Sequence, residues 1–413
     1  MRLSSIILGV TLAVSISFAG DWPGFEGPDR NGVSPEKGLA TSWPEGGPKP
    51  LWHFNLGEGF GGSAVVGGKV YVPDRIGNEK DVLHCLNLAD GNELWSLSFD
   101  APGKVQYPGP RATPAVDDKY VFFMGPMGDL YCIELATHTL LWQKSLTKDF
   151  GSNLPRWAVA ASPLLYKDWV IIAPQSKVGL AALDKKTGKT VWSSKEIGGM
   201  GYSSPMITTI DKVEQVVMIA SGSVVGADVV TGKILWRYTA WPCPIPLASP
   251  TAIGDGRLFV TCIAGGPYKS KSAMFRPQLK DGAWTVEDLF QTLDCQSQMH
   301  NGLLYDKYLY VNSVGSGKGL LCMDLDGNVK WSQGGLSDIG GDLVIAQGMI
   351  YLMNGKDGTL HLVAASPEGY KELSSAKVLD AKGGEVWAPM SIADGKLLCR
   401  DQKQLKCLDI SGK

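Results

Sequence analysis

The sequence predicts an all-β chain, an eight-bladed β-propeller of four-stranded antiparallel blades with its last blade closed by the N-terminal strand. Three observations predict it. A Gly stands four residues before a Trp at Gly91 and Trp95, Gly188 and Trp192, Gly232 and Trp236, and Gly327 and Trp331. The anchors Trp95, Trp142, Trp192, Trp236, Trp284, Trp331 and Leu373 are 47, 50, 44, 48, 47 and 42 residues apart. Four short strands with their turns fill about 40–45 residues, which is one propeller blade. Finally, eight hydrophobic strands follow tight turns in step with that period, the first at residues 69–72 and the last at 396–398.

The unit at residues 180–192 shows the physics. Residues 180–183 form a strand, and 184–188 form a turn in which Gly188 supplies a positive φ at little cost. Thr190, Val191 and Trp192 are β-branched or aromatic and return as a strand. His138 takes the Gly position before Trp142, and Leu373 takes the Trp position after Gly369. Trp284 matches least well, its nearest Gly being Gly282. The last unit stops after its third strand, at residues 405–410. Residues 50–54 at the other end can supply the fourth, which leaves no unfinished blade edge.

In chain order, residues 1–19 read as a signal peptide. Arg2 is its positive end, residues 6–14 its apolar run, and Ser17-Phe18-Ala19 its small-x-small cleavage site. The apolar run is too short to span a bilayer. An exported chain, periplasmic or secreted, monomeric and without a membrane span, is expected. Residues 20–49 form a Gly- and Pro-rich leader packed across the ring, and residues 50–413 the propeller. The net charge of −2 gives no basic footprint for nucleic acid. Export permits disulfides. Cys85, Cys132, Cys322 and Cys407 share one repeat position and read as small core residues. Cys243 and Cys295 lie in equivalent segments of neighbouring blades, and either a disulfide between them or two free thiols fits.

The innermost strand of each blade starts near the central channel, so the residues just before these strands converge on one mouth. They include Glu58, Phe60, Arg111, Arg156, Trp157, Tyr202, Cys243, His300, Asn301, Asp338 and Trp387. Convergent polar groups in a concavity make a candidate binding site. Each has a plainer reading. Arg111 or Arg156 can tie loops together, His300 can be structural, Asp338 can cap a turn, and Trp157 and Trp387 can plug the channel. No His-Glu-x-x-His or Cys-x-x-Cys occurs, which sets aside zinc proteases and c-type haem attachment. Residues 315–319, Gly-Ser-Gly-Lys-Gly, lack the rest of a phosphate loop and read as a hairpin turn.

The units at 90–95 (Asp-Gly-Asn-Glu-Leu-Trp) and 231–236 (Thr-Gly-Lys-Ile-Leu-Trp) resemble repeats of the PQQ-type, or quinoprotein-like, β-propellers. The resemblance implies that Trp95, Trp142, Trp192, Trp236 and Trp331 pack between blades. The segments at 22–25, 109–114 and 299–302 also make the chain similar to exported PQQ-like propellers of planctomycete-type bacteria. Some members of the family are dehydrogenases that hold pyrroloquinoline quinone (PQQ) and calcium in the channel. Others, such as the outer-membrane assembly propeller, bind proteins without a cofactor.

The leading expectation is therefore a binding or scaffold module in the cell envelope. It would take a protein partner or a small ligand at Arg111, Arg156, Trp157, Tyr202, His300, Asn301 and Trp387. The alternative is a PQQ-dependent dehydrogenase oxidising an alcohol or sugar. There Arg111, Arg156 and Trp157 would meet the quinone, and Glu58, Asp338 or His300 would be the catalytic base. The family's dehydrogenases carry a vicinal Cys pair near the cofactor, which this chain lacks. A purely structural platform is a third reading. Beyond calcium held with the quinone, no metal is expected.

Overall fold

The computed structural model describes residues 20–262, 271–315, 317–336, 341–381 and 384–412. The signal sequence expected at 1–19 and the site candidate Asp338 lie outside them. The described residues form eight separate sheets, each built on four antiparallel strands. Seven blades are continuous in sequence, at 64–100, 115–145, 164–193, 206–238, 251–292, 303–333 and 343–377. The eighth joins Ser391–Ala393, Lys396–Arg400 and Gln404–Asp409 to the N-terminal strand Lys49–Asn55. In that closure Trp52 pairs with Cys407. Among the described residues no helix is long and apolar enough to cross a membrane.

The repeat has a packing cause. Each blade's last strand bulges by one residue, in every blade but the seventh beside an aromatic anchor, as between Cys85 and Leu86 opposite Trp95. The anchor then leans on the next blade. The Trp142 indole N–H donates to the Lys185 carbonyl at 2.9 Å, Trp192 to Val229 at 3.0 Å, and Trp331 to Ser366 at 2.7 Å. Trp52 does the same to Leu88 at 2.9 Å and so carries the pattern across the closure. Each accepting carbonyl is three residues before the repeat Gly, or Gly369 in blade seven. Gly91, Gly188 and Gly232 lie against the faces of Trp52, Trp142 and Trp192, where a Cβ would stand 2.3–2.7 Å from the ring. Where His138 replaces Gly, it stacks on Trp95 with centroids 5.0 Å apart.

Two anchors differ from the sequence reading. In blade five the residue over Gly327 is Phe290, opposite Met274, whereas Trp284 lies near the tip of a long hairpin. The glycine of that extended hairpin, Gly282 between Ser272–Lys280 and Ala283–Thr292, would meet nothing within 4 Å and so does not receive Trp236. The Trp236 indole turns instead to Gln215 in its own blade, at 2.6 Å. In blade seven Leu373 is the bulged residue, and Ser374 pairs opposite Leu362.

Cys85, Cys132, Cys322 and Cys407 sit buried opposite Trp95, Trp142, Trp331 and Trp52. Cys243 and Cys295 are both buried free thiols, not partners in a disulfide. They occupy different core clusters, Cys243 at the junction of blades four and five, and Cys295 at that of blades five and six. Equivalent segments of neighbouring blades are related by rotation, so the same repeat position places two thiols against different neighbours.

Residues 20–49 bind to several blades. Trp22, fully buried, bridges to Val65 of blade one, and Leu39 bridges to Ser411. Val33–Ser34 adds a parallel fifth strand to blade seven. Between these attachments Phe25 lines a pocket and Arg30 donates to the Pro163 carbonyl of blade three.

A candidate binding cup at the channel mouth

A pocket of about 170 Å³ opens where the innermost strands begin. Its wall comes from the segment before the inner strand in seven blades: Phe60, Arg111, Trp157, Tyr202, Leu247, His300 and Trp387 are representatives. Phe60 stacks on Trp387 with centroids 5.4 Å apart, and Trp157 meets Tyr202 at the same separation. Tyr107 packs against both Phe60 and Trp387. Among the described lining residues there is no carboxylate, and the cation is Arg111. Trp387 Nε1 and Gln298 Oε1 belong to lining residues and have no hydrogen-bond partner among the described residues.

The lip of this cup is stitched by a recurring dipeptide. Thr113-Pro114, Ser162-Pro163, Ser204-Pro205 and Ser249-Pro250 precede four successive inner strands. The Thr113 N–H donates to Ser162 Oγ at 3.0 Å, that of Ser162 to Ser204 Oγ at 2.9 Å, and that of Ser204 to Ser249 Oγ at 3.0 Å. On the other side of the ring the Ser63 and Ser391 hydroxyls meet at 2.8 Å. These bonds satisfy backbone donors that no strand ladder reaches. The Ser/Thr-Pro pair recurs visibly in the sequence, apart from the Gly and Trp anchors that set the period.

The floor comes from the leader and blades six and seven. Phe25 lines the cup, and Arg30 donates to the Pro163 carbonyl at 3.0 Å. Glu26, half-buried, lies beside Arg30, Asp342, Asn301 and His300. Burial pushes its carboxyl up to about 8, against the pull of Arg30 and a hydrogen bond from Asn301. His300, 7% exposed, reaches the pocket and pairs through Nδ1 with Asp342 Oδ1 at 2.9 Å. The second oxygen of Asp342 accepts the Met390 N–H at 2.7 Å, so one carboxylate fixes the imidazole and joins blades seven and eight. Asp342, Glu26 and Phe25 were not foreseen, because contacts between leader and blades carry no periodicity. A second cavity, of about 220 Å³, lies on the leader's side and is lined by Arg30, Asn301 and Met206 among others.

The other sequence candidates separate. Arg111 donates Nη1 to the Gly109 carbonyl at 2.6 Å and Nη2 to that of Tyr107. Its guanidinium therefore ties its own loop while forming part of the wall, and burial lowers its pKa to about 10, which leaves it charged. Arg156 lies outside the pocket lining, bonding Gln106 at 3.3 Å. Glu58 is exposed and also outside the lining; its carbonyl backs the Cα of Gly109. Asn301 lies beneath the cup, in the second cavity.

Comparison with known proteins adds the lineage. Residues 79–244 match the family described as outer membrane protein assembly factor BamB. Over that stretch the chain is similar to PQQ-type β-propellers. Among solved structures, the chain is similar to the quinohemoprotein alcohol dehydrogenase of Comamonas testosteroni. The two share 14% identity at a TM-score of 0.65, over 95% of this chain and 81% of that one. It is also similar to BamB of Moraxella catarrhalis, at 15% identity and a TM-score of 0.63, over 88% and 99% of the two chains. At such identities the likeness establishes the fold alone. No curated protein matches the sequence.

The residues of this propeller do not fit the quinone and calcium that the resemblance to PQQ-type propellers implies for some members. Calcium takes several oxygen ligands. Among the described residues no three of His, Cys, Asp and Glu come together to bind a metal. A tricarboxylate quinone needs several cationic partners, and Arg111 is the one Lys or Arg among the described lining residues.

Proposed function

We propose that this propeller is an exported, monomeric binding module whose mouth takes a small, flat ligand with ring faces and an anionic or carbonyl edge. The cup carries the reading. Phe60, Trp157, Tyr202 and Trp387 offer ring faces, Arg111 offers the cation, and no described lining residue would repel an anion. A few fixed polar groups in an apolar concavity orient a small ligand. His300, held by Asp342, supplies a further polar group at the floor.

Tryptophan fluorescence and thermal unfolding of the mature chain test this with planar aromatic carboxylates, PQQ included, each with and without calcium. A ligand at about 100 times its Kd stabilises the folded state by about 2.7 kcal/mol. A saturable shift that Trp157→Ala and Trp387→Ala both remove supports the cup. No shift from any probe at millimolar concentration sinks the small-ligand reading. A response requiring calcium together with PQQ, followed by alcohol-dependent dye reduction, would replace it with the dehydrogenase.

One observation favours a protein partner as a second reading. Leu51, Leu94, Leu141 and Val191 are the bulged residues of four consecutive blades, eight and one to three, and all are exposed. They form an apolar arc on the outer edge, the kind of patch that marks contact surfaces. The paired change Leu94→Glu and Leu141→Glu should abolish envelope crosslinks on that edge and leave the fold intact; unchanged crosslinks would remove this reading.

A further inference from the structure

Cys243 and Cys262 meet at one end of blade five. Cys243 lies in the segment that enters the inner strand Thr251–Ala252, and Cys262 lies two residues past the second strand, Leu258–Val260. Those strands are antiparallel. The start of the first and the end of the second therefore share one end of the sheet, which brings together positions 19 residues apart in sequence. Both residues belong to the same buried cluster, Cys243 at 1% and Cys262 at 4% exposure. The two thiols are in hydrogen-bond contact. Both also meet the backbone of Ile245: the Cys243 sulfur faces its N–H, and Cys262 Sγ donates to its carbonyl at 3.9 Å. The Cys243 carbonyl accepts the Gly222 N–H at 3.0 Å, so this corner is also tied to blade four.

We infer that Cys243 and Cys262 form a disulfide site, closed by a disulfide oxidant of the compartment to which the chain is exported. The setting rests on the export reading above; the pairing rests on geometry alone. In the reaction one cysteine thiolate attacks the oxidant's disulfide and displaces one of its thiolates. The second cysteine thiolate then displaces the other. The protein loses two protons and two electrons, and the oxidant gains them as two thiols, so the exchange balances. The neighbouring thiol and burial hold the Cys243 thiol well above its usual range. A protonated, covered thiol reacts slowly, so closure accompanies folding, while the hairpin is still open. The bond would pin the segment that carries Leu247 into the cup wall.

The experiment uses the full chain, unfolded in reductant and refolded with oxidised and reduced glutathione, then alkylated under denaturing conditions and mapped by mass spectrometry. The expected result is one linked peptide pair containing Cys243 and Cys262, with the other six of the eight cysteines alkylated. Eight alkylated cysteines, or a link through any other pair, overturns the inference. Cys262→Ser, a change of one atom in the side chain, should leave all seven remaining cysteines open to alkylation; a new link from Cys243 would count against the pairing. The same mapping on chain recovered from an exporting bacterial host separates the two readings. A chain that keeps residues 1–19 yet forms the link after refolding ends the export reading and leaves the disulfide standing.

Discussion

Gly232 lies face-on against the indole of Trp192. A Cβ on Gly232 would stand 2.3 Å from Trp192 Cε3, while the indole N–H donates to Val229, three residues before that glycine. One contact thus demands three things at once: a left-handed backbone at φ +71°, the absence of a side chain, and a flat partner from the preceding blade. The repeat is the trace of that contact.

Gly232→Ala should therefore cost more than backbone strain alone. The left-handed conformation costs about 1 kcal/mol for a non-glycine residue, and forced overpacking adds about 1–3 kcal/mol. Gly282→Ala is the control, because Gly282 has φ +80° but an added methyl there would meet nothing within 4 Å. Denaturant unfolding of both variants should show Gly232→Ala losing at least twice as much stability as Gly282→Ala. Equal losses would mean that the Trp192 contact adds nothing.

Glu26 should make the fold sensitive to alkali. Its folded pKa is about 8 against a reference of 4.5, with burial the main cause. The folded state then holds a proton that the unfolded state has lost, so stability falls as pH rises from 4.5 through about 8. Arg30, Asp342, His300 and Asn301 face this carboxyl and set the depth of the effect. Glu26→Gln keeps a neutral side chain at every pH. It should flatten this part of the profile and gain on the order of 2 kcal/mol over the parent at pH 9. Melting temperatures across pH 5–9 check it; parallel profiles would show that Glu26 ionises freely in the folded state.

Arg111 and Arg156 should part company. Arg111→Ala removes two bonds to the loop carbonyls of Tyr107 and Gly109 and should cost about 2–3 kcal/mol. Arg156→Ala loses one long bond to Gln106 at an exposed site and should stay within about 0.5 kcal/mol. Thermal unfolding of the two variants side by side decides it. A loss at Arg156 matching that at Arg111 would place both in the structural frame.

How much of this was legible beforehand differs from residue to residue. Trp142, Trp192 and Trp331 stand out because the same contact is made in several blades, and repetition survives in sequence. Trp284 drew the eye for its spacing, yet Phe290 makes that contact, since the long hairpin of blade five moved the anchor six residues along. Arg111, Trp157, Tyr202, His300 and Trp387 were found by one topological argument: inner strands start at the channel. The same argument brought in Glu58 and Arg156, whose side chains stay outside the lining. It could not say which way a side chain turns.

By itself the sequence determined the blade period, the count of eight and the closure by a strand at residues 50–54, because each depends on a local pattern repeated along the chain. Only the tertiary structure decided that Asp342 holds His300, that Glu26 sits beneath the cup, and that Cys243 faces Cys262. Each of these contacts is made once, between segments whose meeting depends on the ring having closed, so no recurrence along the chain records it.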